Sequence, residues 1–119
     1  MSKIVQAVNS MIANKELISD VVRGDAETFF RYKNKYTWSI SKRDDGYTLW
    51  LYPGKQSIDE LLDAEASSDW RGVEMVVYKD SEIGTKEAKA SFSELYTVVK
   101  EKLYGVDRVL DDIISDDLL

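Results

Sequence analysis

Apolar positions along the first two dozen residues recur at helical spacing. Ile4, Val8, Met11 and Ile12 fall three and four apart, and after the polar pair Asn14-Lys15 the pattern resumes with Leu17, Ile18, Val21 and Val22. Gly24 follows Arg23 where a helix would end. This predicts a helix from about Lys3 to Arg23, with a break near Asn14 left open.

From Thr28 the period changes to two. Tyr36, Trp38 and Ile40 alternate with Thr37, Ser39 and Ser41, the pattern of a strand with one buried and one wet face. FFRY before it and YTLWLY after it are joined to it through KNK and DDG, which predicts a three-strand antiparallel meander. The DDG loop decides where the rings go. A three-residue loop, Asp44-Asp45-Gly46 with Gly46 left-handed, sets Ile40 opposite Trp50 and Trp38 opposite Tyr52, so that all the rings share the core face. A two-residue turn at Asp45-Gly46 instead puts Leu49 and Leu51 inside and exposes Trp50 and Tyr52 as an aromatic patch. Two Asp followed by Gly suit the three-residue loop, and the buried placement is the expectation.

SIDELLDAEA carries a capping box at Ser57 and Glu60 with Ile58, Leu61 and Leu62 as its apolar stripe, a short helix. GVEMVVYKD predicts a fourth strand over about Val73 to Lys79, beside the third strand or at the far edge. From Thr85, the positions Ala88, Phe92, Leu95, Val99, Leu103, Val106, Leu110 and Ile113 form the stripe of a long helix lying on a sheet. Gly105 costs a helix about 1 kcal/mol relative to Ala and predicts a bend there, leaving a last segment from about Val106 to Ser115. The fold class expected is α+β, a four-stranded and mainly antiparallel sheet (the three-strand meander plus one strand) packed against an N-terminal helix and a long C-terminal helix. The 119 residues fit one domain, 1–119.

Composition narrows the chemistry. Without cysteine or histidine there is no disulfide, no thiolate nucleophile, no Ser/His pair and no Cys- or His-ligated zinc. No cofactor motif is present, since neither G-x-G-x-x-G nor a P-loop occurs, and the run DDIISDD lacks the spacing of a Ca²⁺ loop. A carboxylate-dependent enzyme, drawing on Glu74, Asp59 or Glu60, is the third-ranked reading. No apolar run approaches the length of a membrane span or a signal segment, and a cytoplasmic location is the default expectation.

The net charge of −6 is unevenly spread. Arg31, Lys33, Lys35, Lys42 and Arg43 lie between Phe29 and Arg43 with no acid among them, whereas Asp59, Glu60, Asp63, Glu65 and Asp69 form a run with no cation. The segment after Gly105 is acidic again, with Asp107, Asp111, Asp112, Asp116 and Asp117. The leading expectation is therefore a non-catalytic, acidic binding protein of inhibitor, immunity or accessory type. Trp50 and Tyr52 on the sheet, or Asp107, Asp111 and Asp112 on the last helix, would contact a protein partner that is itself basic. The alternative is a single-stranded nucleic-acid binder in which rings of the hairpin 29–52 stack bases while Arg31, Lys33, Lys35, Lys42 and Arg43 follow phosphates; the acidic net charge disfavours it. A homodimer stays open.

Overall fold

A computed structural model describes residues 2–117. Helix α1 (Lys3–Ala13) is followed by a 3₁₀ turn and strand β1 (Ile18–Arg23); β2 (Thr28–Tyr32), β3 (Tyr36–Arg43) and β4 (Gly46–Tyr52) follow as consecutive hairpins. Helix α2 (Ile58–Ser67) leads to β5 (Val76–Lys79), and the chain closes with α3 (Asp80–Ile83), α4 (Lys86–Tyr104) and α5 (Val106–Asp117). The five strands form one antiparallel sheet in sequence order. The fold is thus α+β as expected, but with five strands instead of four and with α2 as a third layer.

The fifth strand is β1, which the periodicity had assigned to the first helix. Ile18 pairs with Tyr32 and Ser19 with Arg31, yet Val22 pairs with Phe29, so Asp20 and Val21 together stand opposite Phe30. This is a β-bulge, with Asp20 left-handed at φ 52°. The extra residue brings Val21, three positions after Ile18, back to the same face, while Val22 packs on the other. A bulged strand therefore spells i, i+3, i+4 and imitates a helix. The helix itself stops at Asn14, whose amide closes on the Ser10 carbonyl at 3.0 Å.

Strand β3 joins β4 through Asp44-Asp45 alone, with Arg43 opposite Gly46, Ile40 opposite Leu49 and Trp38 opposite Leu51. The expected three-residue loop is corrected, and so is the turn at Asp45-Gly46. Gly46 has φ 130°, which L side chains rarely adopt, and a Cβ there would collide with the buried carboxylate of Asp80. Asp80 Oδ1 accepts the Tyr47 amide at 3.1 Å, so a contact from a residue distant in sequence holds this register.

Each face of the sheet has its own core. Tyr32, Phe30, Trp38, Ile40 and Leu49 pack with Ile18 under α1 and α4, against Val8, Met11, Phe92, Leu95 and Val99. On the opposite face Phe29, Trp50 and Tyr52 lie against Ile58 and Leu61 of α2, with Trp70, Val73 and Met75 closing the margin. Strand β5, shorter than expected, pairs with β4 and forms an outer edge.

Helix α4 touches β1, β3 and β4 as it crosses the sheet. Nineteen residues of helix reach about 28 Å, whereas five strands span about 19 Å between their axes. The helix outruns the sheet, and its apolar stripe is buried only as far as Val99. After left-handed Gly105 (φ 63°), α5 continues beyond the body. The radius of gyration is accordingly 15.4 Å, against about 13.5 Å for a compact chain of this length.

Candidate functional site

The five cations of the hairpin do not form one track. Arg31, on the α2 face opposite Thr37, and Lys35 line a cleft beside the start of α2. Lys33 stands left-handed in the β2–β3 turn near the Tyr32 ring. Lys42 and Arg43 are at the other end of β3, a distance of about 24 Å along an extended strand from Lys35. There Arg43 lies 5.5 Å from the Trp50 ring centroid and donates from Nε to Ser41 Oγ at 3.3 Å.

Trp50 and Tyr52 occupy the face that the two-residue loop dictates, beside Ser39 and Thr37. That face is not an open patch, because α2 covers it and leaves the two residues 8% and 3% exposed. Tyr52 stacks on Trp70 with centroids 6.3 Å apart. Neither ring can meet a partner without displacement of α2. Among the hairpin rings, Tyr36 is the exposed one.

Three acids of the run along and just after α2 are occupied with local structure. Glu60 closes the capping box with Ser57. Glu65 reaches the β1–β2 turn and accepts the amides of Asp25 at 2.6 Å and Ala26 at 3.2 Å. Asp69 pairs with Arg71 at 2.8 Å, and that hydrogen bond holds its carboxyl below the usual range. Asp107, Asp111 and Asp112 have no such tasks; they line the exposed helix α5, on a different element from Trp50 and Tyr52. The side chains of Asp116 and Asp117, in the run DDIISDD, lie outside the described residues. Among the described residues, no three acidic side chains are grouped so as to hold a metal ion.

One cluster escaped the sequence reading. Glu27, just before β2, is buried, and its Oε2 accepts from Ser39 Oγ and from the Tyr52 hydroxyl, each at 2.8 Å. The two hydroxyl oxygens are 2.9 Å apart. Three oxygens in mutual contact have three edges, and the two hydroxyls supply protons for two of them. A proton on Glu27 would complete the ring. Burial pushes the Glu27 carboxyl up, against the opposing pull of its bonds to Ser39 and Tyr52, and burial likewise raises the Tyr52 hydroxyl. A serine beside a carboxylate resembles an activated nucleophile, but Ser39 is fully buried in the sheet and no substrate reaches its Oγ. The cluster pins the β1–β2 turn to β3 and β4. Only the alternation of Ser39 with Tyr52 across a register could have signalled it, and the register was the uncertain step.

The feature without a structural task is α5. Val109, Leu110, Ile113 and Ile114 are 54%, 49%, 55% and 58% exposed, and they fall on one side of the helix. No helix among the described residues is long and apolar enough to cross a membrane. No known protein family, curated protein or solved structure matches this chain.

Proposed function

We propose that this chain is a non-catalytic binding protein that engages a basic protein partner through α5. The observation that carries the reading is the stripe Val109, Leu110, Ile113 and Ile114, four large apolar side chains at least 49% exposed on one helix. Such a stripe buries nothing of its own fold, and a soluble helix rarely keeps one without a surface to cover it. Asp107, Asp111 and Asp112 border it, which selects an apolar groove rimmed by Lys and Arg over an anionic lipid surface or a phosphate backbone. The anchors fall at i, i+1, i+4 and i+5, the spacing of an amphipathic helix laid in a groove. The partner contact thus moves from Trp50 and Tyr52, which lie under α2, to α5 alone.

The test is capture of partners from nuclease-treated lysate by the tagged full chain, followed by reconstitution with the purified candidate. The expected partner is basic, binds stoichiometrically and dissociates in high salt. It is lost both from Leu110→Ser/Ile113→Ser and from Asp107→Asn/Asp111→Asn/Asp112→Asn. Capture that ignores both sets of changes, or recovery of the chain alone as an oligomer, would overturn the reading.

A further inference from the structure

Helix α5 is apolar on one side and acidic around it, and the same molecule carries a cleft of the complementary kind. It measures about 420 Å³ and lies between α1 and the β2–β3 end of the sheet. Ala7 and Met11 of α1 line it together with Tyr32, Tyr36, Trp38 and Leu51 of the sheet, and among the described residues of its wall Lys33 is the one that carries a charge. We infer that α5 of one copy docks in this cleft of a second copy, and that two copies exchange their helices reciprocally. The inference rests on the reading of α5 as a binding helix and adds how that helix is regulated: a basic partner has to displace the second copy, so the concentrated chain binds it less readily than the dilute one.

Two ammonium groups stand by rings of the cleft. Lys33 Nζ lies 5.7 Å from the centroid of Tyr32, and Lys35 Nζ lies 5.2 Å from that of Tyr36. The turn that carries them is fixed from two sides. The Lys33 amide donates to the Leu17 carbonyl at 3.0 Å, and Arg31 donates to the Asn34 carbonyl at 2.8 Å. Lys33 and Asn34 are both left-handed, at φ 59° and 54°, a conformation that non-glycine residues keep where their surroundings impose it. The cations are therefore in place before anything docks, which lowers the ordering cost of binding. Apolar surface is on offer beside them, since Tyr36 is 43% exposed and Ala7 and Leu51 are half-buried.

Charge selects the occupant. The segment after Gly105 holds five Asp and one Arg, so two α5 helices laid stripe to stripe would repel each other. Lys33 and Lys35 belong to the run from Phe29 to Arg43 that has cations and no acid, and their cleft attracts what a second α5 repels. Along α5, Asp111 and Asp112 fall between the anchor pairs Val109-Leu110 and Ile113-Ile114, which are about 6 Å apart. A stripe seated against Tyr36 and Leu51 thus brings carboxylates to the rim where the two lysines stand. In the single chain both surfaces are uncovered, the four α5 side chains being at least 49% exposed, so the contact is one between copies. Reciprocal exchange closes a twofold dimer with two identical contacts, whereas one-way docking would propagate into a fibre. The projection of α5 beyond the body gives it the reach to a neighbour.

The experiment is sedimentation velocity of the purified full chain over a concentration series from about 5 µM to about 1 mM. A monomer–dimer equilibrium with a Kd between about 10 µM and about 1 mM is expected, with no larger species. Lys33→Glu/Lys35→Glu and Asp111→Lys/Asp112→Lys alter exposed residues, and each pair should weaken the dimer at least about tenfold. Mixed in equal amounts, the two variants should dimerise again, because the reversed helix of one meets the reversed cleft of the other while the two parent surfaces still match. Tyr36→Ser should weaken the parent dimer, as should Leu110→Ser/Ile113→Ser. A chain that is monomeric throughout would overturn the inference. So would a dimer indifferent to Lys33→Glu/Lys35→Glu, a mixture that stays monomeric, or oligomers that keep growing with concentration. A monomeric chain that still captures a basic partner from lysate sinks this inference and spares the reading of α5, whereas a dimer of the expected kind that captures none supports the exchange and sinks the partner.

Discussion

Removing one hydroxyl tests how the buried Glu27 is held. In Tyr52→Phe the ring still packs against Phe29, with centroids 5.8 Å apart, and still stacks on Trp70. What is lost is the 2.8 Å hydrogen bond to Glu27 Oε2 together with the 2.9 Å contact with Ser39 Oγ, and Ser39 keeps its own bond to Glu27. A hydrogen bond to a charged group is worth about 1.5–3 kcal/mol and a neutral one about 0.5–1.5 kcal/mol. Glu27 has its carboxyl pushed above the value of 4.5 by burial, and the Tyr52 bond opposes that push. Taking the bond away raises the folded-state carboxyl further. A carboxyl raised on folding contributes stability that is complete below the unfolded value and is lost as pH rises through the folded one. The variant loses more on that rise than the parent does. The cost of Tyr52→Phe should therefore be about 1.5–3 kcal/mol at pH 8 and shrink to about 0.5–1.5 kcal/mol at pH 4. At pH 8 this is a drop in Tm of roughly 6–12 °C for a chain of this size. Denaturant unfolding of both proteins at each pH measures it, and the same change made in a Glu27→Gln background should lose its pH dependence. A cost equal or larger at pH 4 would refute the charged hydrogen bond as its source.

Gly46→Ala should destabilise by at least about 2 kcal/mol, since it meets both a backbone conformation that costs about 1–3 kcal/mol and the Asp80 carboxylate; an unchanged urea midpoint would show that the register does not depend on this glycine. Ending the chain after Gly105 should leave the Tm within about 2 °C, because the apolar side chains of α5 are exposed and a change that removes no burial costs little; a large drop would place α5 in the core. Above pH 10 the raised Tyr52 hydroxyl should stay protonated in the folded protein and ionise only on unfolding, so stability falls with rising alkalinity, and less so in Tyr52→Phe. Absorbance titration at the phenolate band alongside alkaline unfolding would check that.

Much of this fold follows from pattern alone. The 3.6-residue stripe through Ala88, Phe92, Leu95 and Val99, the capping box at Ser57 and Glu60, the break at Gly105 and the alternation of Tyr36, Trp38 and Ile40 are local signals, each completed within a few residues of its neighbours. The acidic, amphipathic character of the segment after Gly105 was legible in the same way, although its exposure was not. That exposure depends on where the sheet ends: in sequence the helical stripe runs on past Gly105 through Leu110 and Ile113, but these lie on α5, beyond the sheet that α4 crosses.

Tertiary structure decided what depends on partners distant in the chain. Strand β1 was hidden because a bulge at Asp20 turns a two-residue period into a three-residue one, and only pairing with β2 distinguishes it from a helical turn. The face taken by Trp50 and Tyr52 rests on a single residue of loop length, settled by Asp80 against Gly46 from thirty-four positions away. Once that register is set, Tyr52 meets Ser39, Glu27 meets both, and α2 closes over the rings. A strand's side chains alternate with a period of two, so one residue of slip exchanges the two faces entirely. Local sequence specifies the alternation, and only the assembled sheet specifies its phase.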